Sequence, residues 1–219
     1  MIKVEDCFLK LGPKTSFYCE KFYAEPKSKV ALWGPSGCGK STLLNIISGL
    51  LRPDRGTVIV NGVDITKLSE SQLDHFRGEN IGFIFQTFNL LPPFSALQNV
   101  VIGMRFSSTV PSSIWNKTAK SLLERVGLGN KLSNKPSQLS VGEQQRVAIA
   151  RAVANKQKII VADEPTGSLD PKTANKVLEL LLELSDEHGV TLLLVTHDKS
   201  IADRFPIIYN CSNLVKEEE

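Results

Sequence analysis

The chain has 219 residues and a mass of 24.1 kDa, which suits one domain or one domain with an insertion. Apolar residues make up 42% and charged residues 22%, proportions that are ordinary for a folded protein and exclude a disordered chain. The net charge of +3 is too small to indicate a nucleic-acid partner.

The first part of the chain alternates β-branched runs with helical periodicity. Lys29–Trp33 is typical of a short buried strand. A Gly-rich turn follows, and then a helix whose apolar residues share one face: Leu43, Leu44, Ile46, Ile47 and Leu50. Residues 57–60 and 81–85 are further strand candidates. Asn61-Gly62 predicts a tight hairpin turn, because both residues tolerate positive φ.

The second part begins with helical patterns, which dominate from about residue 87 to 158. Strands return at 159–162 and 191–195, and a helix is predicted between them over 173–188. Continuous apolar strands of this kind are typical of a parallel sheet covered on both faces, so the fold class is predicted as α/β. The tail, 216–219, is expected to be a solvated end.

Four cysteines are present, and no two have the C-x-x-C spacing of a zinc ribbon. The chain is large and apolar enough to fold without disulfides, so reduced thiols in a cytosolic protein are expected. No apolar stretch approaches 18 residues and the N-terminus has no apolar signal segment. A role at a membrane would therefore go through a partner.

Residues 34–41 match the phosphate-loop pattern G-x-x-x-x-G-K-[ST], in the order Gly34-Pro35-Ser36-Gly37-Cys38-Gly39-Lys40-Ser41. Glycines let backbone N–H groups turn towards phosphate oxygens, and the following helix adds its N-terminal dipole. Lys40 is expected against the β- and γ-phosphates, with the Ser41 hydroxyl on Mg²⁺. The alternative is a Gly-rich strand-to-helix turn without a ligand.

Two carboxylates, Asp163 and Glu164, end the apolar run 159–162. Ligands bind at that edge of open α/β sheets. Asp163 suits a Mg²⁺ partner, through water, and Glu164 suits a general base or water orienter for attack on the γ-phosphate. Alone, the pair is equally compatible with two exposed acids at a loop entrance.

One further stretch resembles the L-S-G-G-Q signature motif of ABC-type ATPases: Leu139-Ser140-Val141-Gly142-Glu143-Gln144-Gln145-Arg146. The other motifs of that family follow in order. They are Gln86 at the Q-loop position, Asp163-Glu164-Pro165 at the Walker B end, Ser168-Leu169-Asp170 at the D-loop, and His197 as the switch histidine. Residues 81–92 and 162–170 are similar to the branch of lipoprotein-release, macrolide-export and cell-division ATPases.

The resemblance implies a P-loop NTPase fold of the ABC type, with a mixed β core, a small antiparallel β region and an inserted helical subdomain. It implies a single ABC ATPase domain over 1–219. Residues 1–86 and 159–219 would form the nucleotide-binding core, and 87–158 the helical subdomain that carries the signature motif.

The same resemblance implies an ATPase with ATP and Mg²⁺ as cofactors. Nucleotide binding would fall to residues 34–41 with Thr42 and Gln86, metal binding to Ser41, Gln86 and Asp163, and catalysis to Lys40, Glu164 and His197. Two copies, or this chain and a paralogous subunit, would pack head to tail. The signature residues would then contact the opposite subunit's nucleotide (Ser140, Val141, Gly142 and Glu143), with Asp170 at the interface.

The implied partner is an integral membrane permease, with the chain peripheral at the cytoplasmic face of the inner membrane and transport directed to export or the envelope. The apolar, Pro-stiffened segment within 86–97 would contact that partner, or would simply pack the helical subdomain. Alternatives are an ABC ATPase of DNA repair or the ribosome, envelope mechanotransmission without transport, and a degenerate regulatory subunit.

The sequence departs from the family pattern at several positions. Val141 replaces the usual glycine and Glu143 the usual glutamine of the signature. Leu11 stands where many members stack an aromatic ring on adenine, with Phe8 and Tyr18 nearby. Lys27 or Ser28 occupies the place of a common turn glycine. Cys38 would make ATP binding sensitive to thiol reagents if exposed, or would merely fill a small slot.

Overall fold

The structure is a computed structural model that describes residues 1–217. Its strands are β1 (Ile2–Lys10), β2 (Thr15–Ala24), β3 (Lys29–Trp33), β4 (Arg55–Val60), β5 (Val63–Asp64), β6 (Ile81–Ile84), β7 (Ile159–Asp163), β8 (Thr191–Thr196), β9 (Ile207–Asn210) and β10 (Val215–Glu217). The α-helices are α1 (Lys40–Ile47), α2 (Glu70–Asn80), α3 (Ala96–Met104), α4 (Trp115–Arg125), α5 (Val141–Val153), α6 (Pro171–His188) and α7 (Lys199–Ala202). Short 3-10 helices cover Ile65–Lys67, Ser112–Ile114 and Pro136–Gln138. The predicted α/β class is confirmed.

The chain divides into two compact units, Met1–Arg77 with the described residues from Thr191 onward, and Gly78–Val190. In the first unit, β3 is paired in parallel with β8 on one side and β9 on the other. Residues 30–32 of β3 and 192–195 of β8 are buried, as expected for parallel strands covered on both faces. Trp33 is the register partner of Thr196, so the segments that follow β3 and β8 leave the same edge of the sheet.

The first unit also holds an antiparallel sheet with the strand order β10-β2-β1-β4-β5. The predicted hairpin is present, since β4 pairs with β5 and both turn residues, Asn61 and Gly62, have positive φ. Within the tail predicted to be solvated, Lys216 is exposed as expected, but it also belongs to β10, an edge strand that pairs with β2. Leu214 is buried and leads Val215 into this pairing. Residues 218 and 219 lie outside the described part of the chain.

The second unit combines the parallel pair β6 and β7 with helices α3 to α6. Ile84 is the register partner of Ala162, so the residues after β6 and after β7 leave the sheet side by side. Helix α5 contacts α3, α4, α6 and β6, and most of its C-terminal two-thirds is buried. None of the helices within residues 1–217 is both long enough and apolar enough to span a membrane.

The turn before β3 has a residue in the left-handed region, and it is Lys27, with φ +64°. Its backbone N–H donates to Thr191 Oγ1 at 2.9 Å, which holds the turn against β8. A left-handed L-residue costs about 1–2 kcal/mol, and glycine costs about 0.5–1 kcal/mol in chain entropy. We expect Lys27→Gly to raise the free energy of unfolding by about 0.5 kcal/mol in urea titrations. Ser28→Gly, one residue later, should lower it instead.

Candidate functional site

The loop between β3 and α1 has an exposed tip, residues 35–37, and a buried base. Lys40 is only 6% exposed, and its Nζ donates to the carbonyl oxygens of Gly34 at 2.9 Å and Pro35 at 2.7 Å. These two carbonyls, at the start of the loop, therefore hold the ammonium group of Lys40 inside it. Gly39 turns the chain into the helix with φ +101°, a backbone conformation that residues with a side chain rarely adopt. The result is a preformed concave loop with a cation at its base.

Helix α1 offers its N-terminus to this loop. In the described chain, no side chain caps α1 and its first turn contains no acidic residue. The first-turn N–H groups and the positive end of the helix dipole suit an anion. Ser41 is exposed in this turn and Thr42 is half-buried beside it. These features fit phosphate oxygens outside the helix end.

The base of the loop rests on the C-terminal residues. A Cβ at Gly39 would stand 3.0 Å from Val215 Cγ2, 3.1 Å from Phe17 Cδ2 and 3.2 Å from Leu214 Cβ. Cys38 is 7% exposed, and its Sγ would be 2.8 Å from a Cβ at Gly34. Its thiol therefore fills space within the loop. All four cysteines, Cys7, Cys19, Cys38 and Cys211, are free and buried.

His197 follows β8 at the edge from which the phosphate loop leaves β3, and it is exposed. The turn after it is fixed by Asp198, whose N–H donates to Thr196 Oγ1 at 3.0 Å. The Asp198 carboxylate accepts from the side chain and N–H of Ser200, and these bonds lower its pKa. His197 therefore stands at the edge of the sheet from which the phosphate loop also leaves.

In the second unit, Gln86 and Glu164 each come two residues after the register partners Ile84 and Ala162. A Cβ at Gly167 would stand 3.4 Å from Glu164 Oε2 and 3.6 Å from Gln86 Nε2, so both side chains reach one backbone position. Glu164 has φ +45°, a left-handed conformation that is costly for glutamate. Backbone strain of this kind is concentrated at functional sites.

Asp163 ends β7 directly before Glu164 and is half-buried. With Ser41 and Gln86 it completes the predicted metal ligands, and all three side chains offer oxygen, the donor that Mg²⁺ prefers. Within residues 1–217 no cluster of three or more His, Cys, Asp or Glu side chains forms a dedicated metal cage. Mg²⁺ at a phosphate site commonly takes only one or two protein ligands, so the oxygen donors that each unit offers by itself are compatible with the prediction.

Three of the four predicted signature residues, but not Glu143, line a cleft of about 500 Å³ in the second unit together with the D-loop. Its lining includes Ser140, Val141, Gly142, Ser168, Leu169, Asp170 and Thr173. Val141 is 45% exposed at its rim. Asp170 caps α6 by accepting from the N–H groups of Lys172 and Thr173, both at 3.1 Å, and its contacts with Thr173 lower its pKa. The N-termini of α5 and α6 therefore open on the same cleft.

Gly142 lies where α5 packs closely against α6. A Cβ at this position would stand 2.6 Å from Thr173 Cγ2, closer than real side chains approach. Thr173 was not predicted as a functional residue, because nothing local in the sequence indicates which residue faces the signature glycine. Leu214 and Val215 behind the phosphate loop were missed for the same reason.

Glu143 forms a capping box with Ser140. Ser140 Oγ accepts from the Glu143 N–H at 3.3 Å, and Glu143 Oε2 accepts from the Ser140 N–H at 2.9 Å. Lys131 Nζ lies 2.9 Å from Glu143 Oε1, and this contact and the Ser140 N–H lower the pKa of Glu143. The spacing S-x-x-E already carries this signal. Glutamate thus replaces the usual glutamine without loss of the cap.

We expect Glu143→Gln to keep the cap, since glutamine can also accept from the Ser140 N–H, and to lose the ion pair with Lys131. The free energy of unfolding should fall by about 0.5 kcal/mol at neutral pH. A lowered folded pKa stabilises the protein above the ordinary value of 4.5 and loses that contribution as the pH falls below it. Urea titrations should therefore show the difference at pH 7 and its loss as the pH falls well below 4.5. A difference that is constant across this range would contradict the assignment.

The candidates for an adenine contact all lie in the first unit. Leu11 is 43% exposed just after β1. The Arg55 guanidinium lies 4.6 Å above the centre of the Phe8 ring, and Tyr18 donates its hydroxyl to Asp6 Oδ1 at 3.0 Å. Both aromatic side chains thus have protein partners, whereas Leu11 is an exposed apolar surface.

Comparison with known proteins identifies the family of the chain. The sequence profile described as ABC transporter matches residues 20–167. The chain is 49% identical over 175 residues to the lipoprotein-releasing system ATP-binding protein LolD 1 of Rhodopseudomonas palustris, covering 80% of this chain and 77% of that protein. It is 47% identical over 174 residues to the macrolide export ATP-binding/permease protein MacB of Rhodopirellula baltica, covering 79% of this chain and 25% of that protein.

Solved structures resemble the whole fold. The ATP-binding cassette MJ0796, described as a dimer in a post-hydrolysis state bound to ADP and Pi, matches with a TM-score of 0.86 and 36% identity. The match covers 100% of this chain and 99% of that one. A second dimeric structure of the same cassette has a TM-score of 0.85 and 37% identity, with the same coverage.

Proposed function

Because this chain belongs to the ABC transporter family, as its motifs predicted, we propose that it binds and hydrolyses ATP as the motor subunit of a membrane transporter. The observation that carries the proposal is the phosphate loop. Its buried Lys40 ammonium, exposed backbone tip and uncapped helix N-terminus form a binding site for a polyphosphate. The family relation identifies that polyphosphate as ATP.

The nucleotide would be held by residues 34–41 with Thr42 and Gln86. Lys40 would turn its ammonium from the two loop carbonyls to the β- and γ-phosphates, compensating the charge that develops as the bond breaks. Ser41, Gln86 and Asp163 would hold Mg²⁺, which draws negative charge from the phosphates.

Glu164 would act as the general base. Its carboxylate would accept a proton from water as the water oxygen forms a bond to the γ-phosphorus and the bond to the ADP oxygen breaks. The left-handed backbone at Glu164 and the nearby Gln86 amide support this placement, because they aim two polar side chains at one point. His197 would contact the γ-phosphate from the edge of β8.

Two copies, or this chain with a paralogous subunit, would form a head-to-tail dimer. The signature cleft supports this, because it joins the N-termini of two helices and includes Ser140, Val141 and Gly142. An opposite subunit's γ-phosphate would bind there, with Glu143 holding the helix start and Asp170 at the interface. The related cassette MJ0796 is described as dimeric.

The partner in the membrane would be an integral permease contacting the apolar segment within 86–97. Leu91 and Phe94 are exposed there, at 40% and 39%. The buried Asn99 amide fixes this segment, with Oδ1 accepting from the Leu91 N–H at 2.7 Å and Nδ2 donating to the Phe94 carbonyl at 3.0 Å. A rigid exposed apolar segment of this kind suits a protein interface.

We propose that transport is directed to export or to the cell envelope, since LolD and MacB are named for lipoprotein release and macrolide export. The chain would be peripheral at the cytoplasmic face of the inner membrane. Residues 87–158 would form the helical subdomain of a single ABC ATPase domain, with 1–86 and 159–219 as its nucleotide-binding core. No nucleic acid is expected as a partner.

The proposal is tested by purifying the tagged chain from detergent-solubilised native membranes, and then measuring ATP hydrolysis and identifying what copurifies. A stoichiometric membrane protein and Mg²⁺-dependent release of phosphate are expected. Hydrolysis by a chain that stays in the membrane-free fraction would instead favour an ABC ATPase without a transport role. A chain that copurifies but does not hydrolyse ATP would be a degenerate regulatory subunit.

A further inference from the structure

The segment after Gln86 contains a strained three-residue turn. The Asn89 N–H donates to the Thr87 carbonyl at 2.6 Å, and Phe88 at the centre has φ +60°. Asn89 itself has φ +47°. Two consecutive left-handed residues without glycine are costly, and such turns persist only where surrounding groups hold them.

The group that holds this turn is the guanidinium of Arg151, on the signature helix α5. Its two terminal nitrogens donate to the carbonyl oxygens of Asn89 at 2.6 Å and Phe88 at 2.7 Å. Burial lowers the pKa of Arg151. A planar fork reaches two adjacent carbonyls at once, which a lysine ammonium cannot reproduce with the same geometry.

The path of this side chain passes over helix α3 at Gly103. A Cβ at Gly103 would stand 2.7 Å from Arg151 Cγ and 3.3 Å from Arg151 Cδ. A larger residue there would displace the Arg151 stem without removing the positive charge of its side chain. Gly103 therefore gives an independent way to disturb the same contact.

We propose that Arg151 is a positioning residue of the ATPase reaction: by locking the turn at Phe88 and Asn89, it holds Gln86 beside Glu164. This inference rests on the proposed ATPase function. It gives α5 a role near its C-terminal end, whereas the signature residues lie at its N-terminus. Arg151 touches no reacting atom, and acts through the backbone two residues beyond Gln86.

The test compares Arg151→Lys with the wild-type chain in steady-state ATP hydrolysis and in amide hydrogen exchange. We expect kcat to fall by about ten- to a hundredfold, because Gln86 is misplaced. KM for ATP should rise by no more than about threefold, because Gln86 is one contact among those to the nucleotide and the phosphate loop is unchanged. Exchange should accelerate at residues 87–91 and stay unchanged in β7 and α6. The matched control is Arg125→Lys, which alters an exposed arginine paired with Glu183 and Glu187 of α6 and should leave kcat and exchange at 87–91 unchanged.

Gly103→Ala supplies the second variant, and it should reproduce the same separation of kcat from KM. The inference is overturned if both variants keep kcat within twofold of the wild type, or if exchange accelerates throughout the unit instead of at 87–91. If the wild-type chain itself hydrolyses no ATP, the proposed function fails. Exchange at 87–91 would still decide whether Arg151 holds the turn.

Discussion

Replacing Glu164 by glutamine is expected to lower the hydrolysis rate per subunit by about 10²- to 10⁴-fold while ATP binding is retained. Glutamine has nearly the same shape but cannot accept the proton of the attacking water. Because the phosphate loop is untouched, the variant should bind MgATP and stop before the bond is broken. ATP-bound dimers should therefore accumulate, and analytical ultracentrifugation with MgATP should show them at micromolar protein concentration.

The matched control for this variant is Glu124→Gln, which removes the charge of an exposed glutamate on α4 that lies 3.9 Å from Lys120. It should leave turnover and oligomeric state unchanged. A Glu164→Gln chain that turns over ATP at the wild-type rate would remove Glu164 from the role of base. A chain that stays monomeric in MgATP would contradict the head-to-tail sandwich.

Replacing Gly142 by alanine is expected to have the second largest effect. The new Cβ would meet Thr173 Cγ2 at 2.6 Å, so the Thr173 side chain and the first turn of α5 must move apart. Overpacking of this kind costs about 1–3 kcal/mol. Since the displaced turn is the one proposed to contact the opposite γ-phosphate, kcat should fall by about 10²-fold, with ATP binding by the same chain's loop unchanged.

A second substitution tests whether the contact with Thr173 causes these losses. Thr173→Ser removes Cγ2 but keeps the hydroxyl, so the chain with both substitutions should regain thermal stability and most of its turnover. Thr173→Ser alone should behave as the wild type in both measurements. If the double variant remains as slow as Gly142→Ala, the contact with Thr173 is not the reason for the glycine.

The sequence was sufficient for those parts of the site that are local in the chain. The phosphate loop, the two acids at the end of β7 and the histidine after β8 are each determined by a strand and the few residues that follow it. The strand register then determines which of these segments leave the sheet side by side, because Trp33 pairs with Thr196 and Ile84 with Ala162. The capping box at Ser140 and Glu143 is equally local.

The parts that escaped prediction depend on contacts between distant residues. Val215 reaches the phosphate loop only through the pairing of β10 with β2, so the charged tail gave no sign of it. Thr173 meets Gly142 through helix packing. Arg151 binds carbonyls more than sixty residues away in the chain, and no spacing rule connects them.

The measurement that tests the central claim most directly is a mixing experiment with two inactive variants. Lys40→Ala removes the cation of the phosphate loop and leaves the signature intact, whereas Gly142→Ala does the reverse. In a head-to-tail dimer, a mixed pair contains one intact site, so an equal mixture should recover about a quarter of the wild-type rate. If the mixture hydrolyses ATP no faster than the two variants measured separately, neither subunit completes the site of its partner. The proposed mechanism would then be wrong.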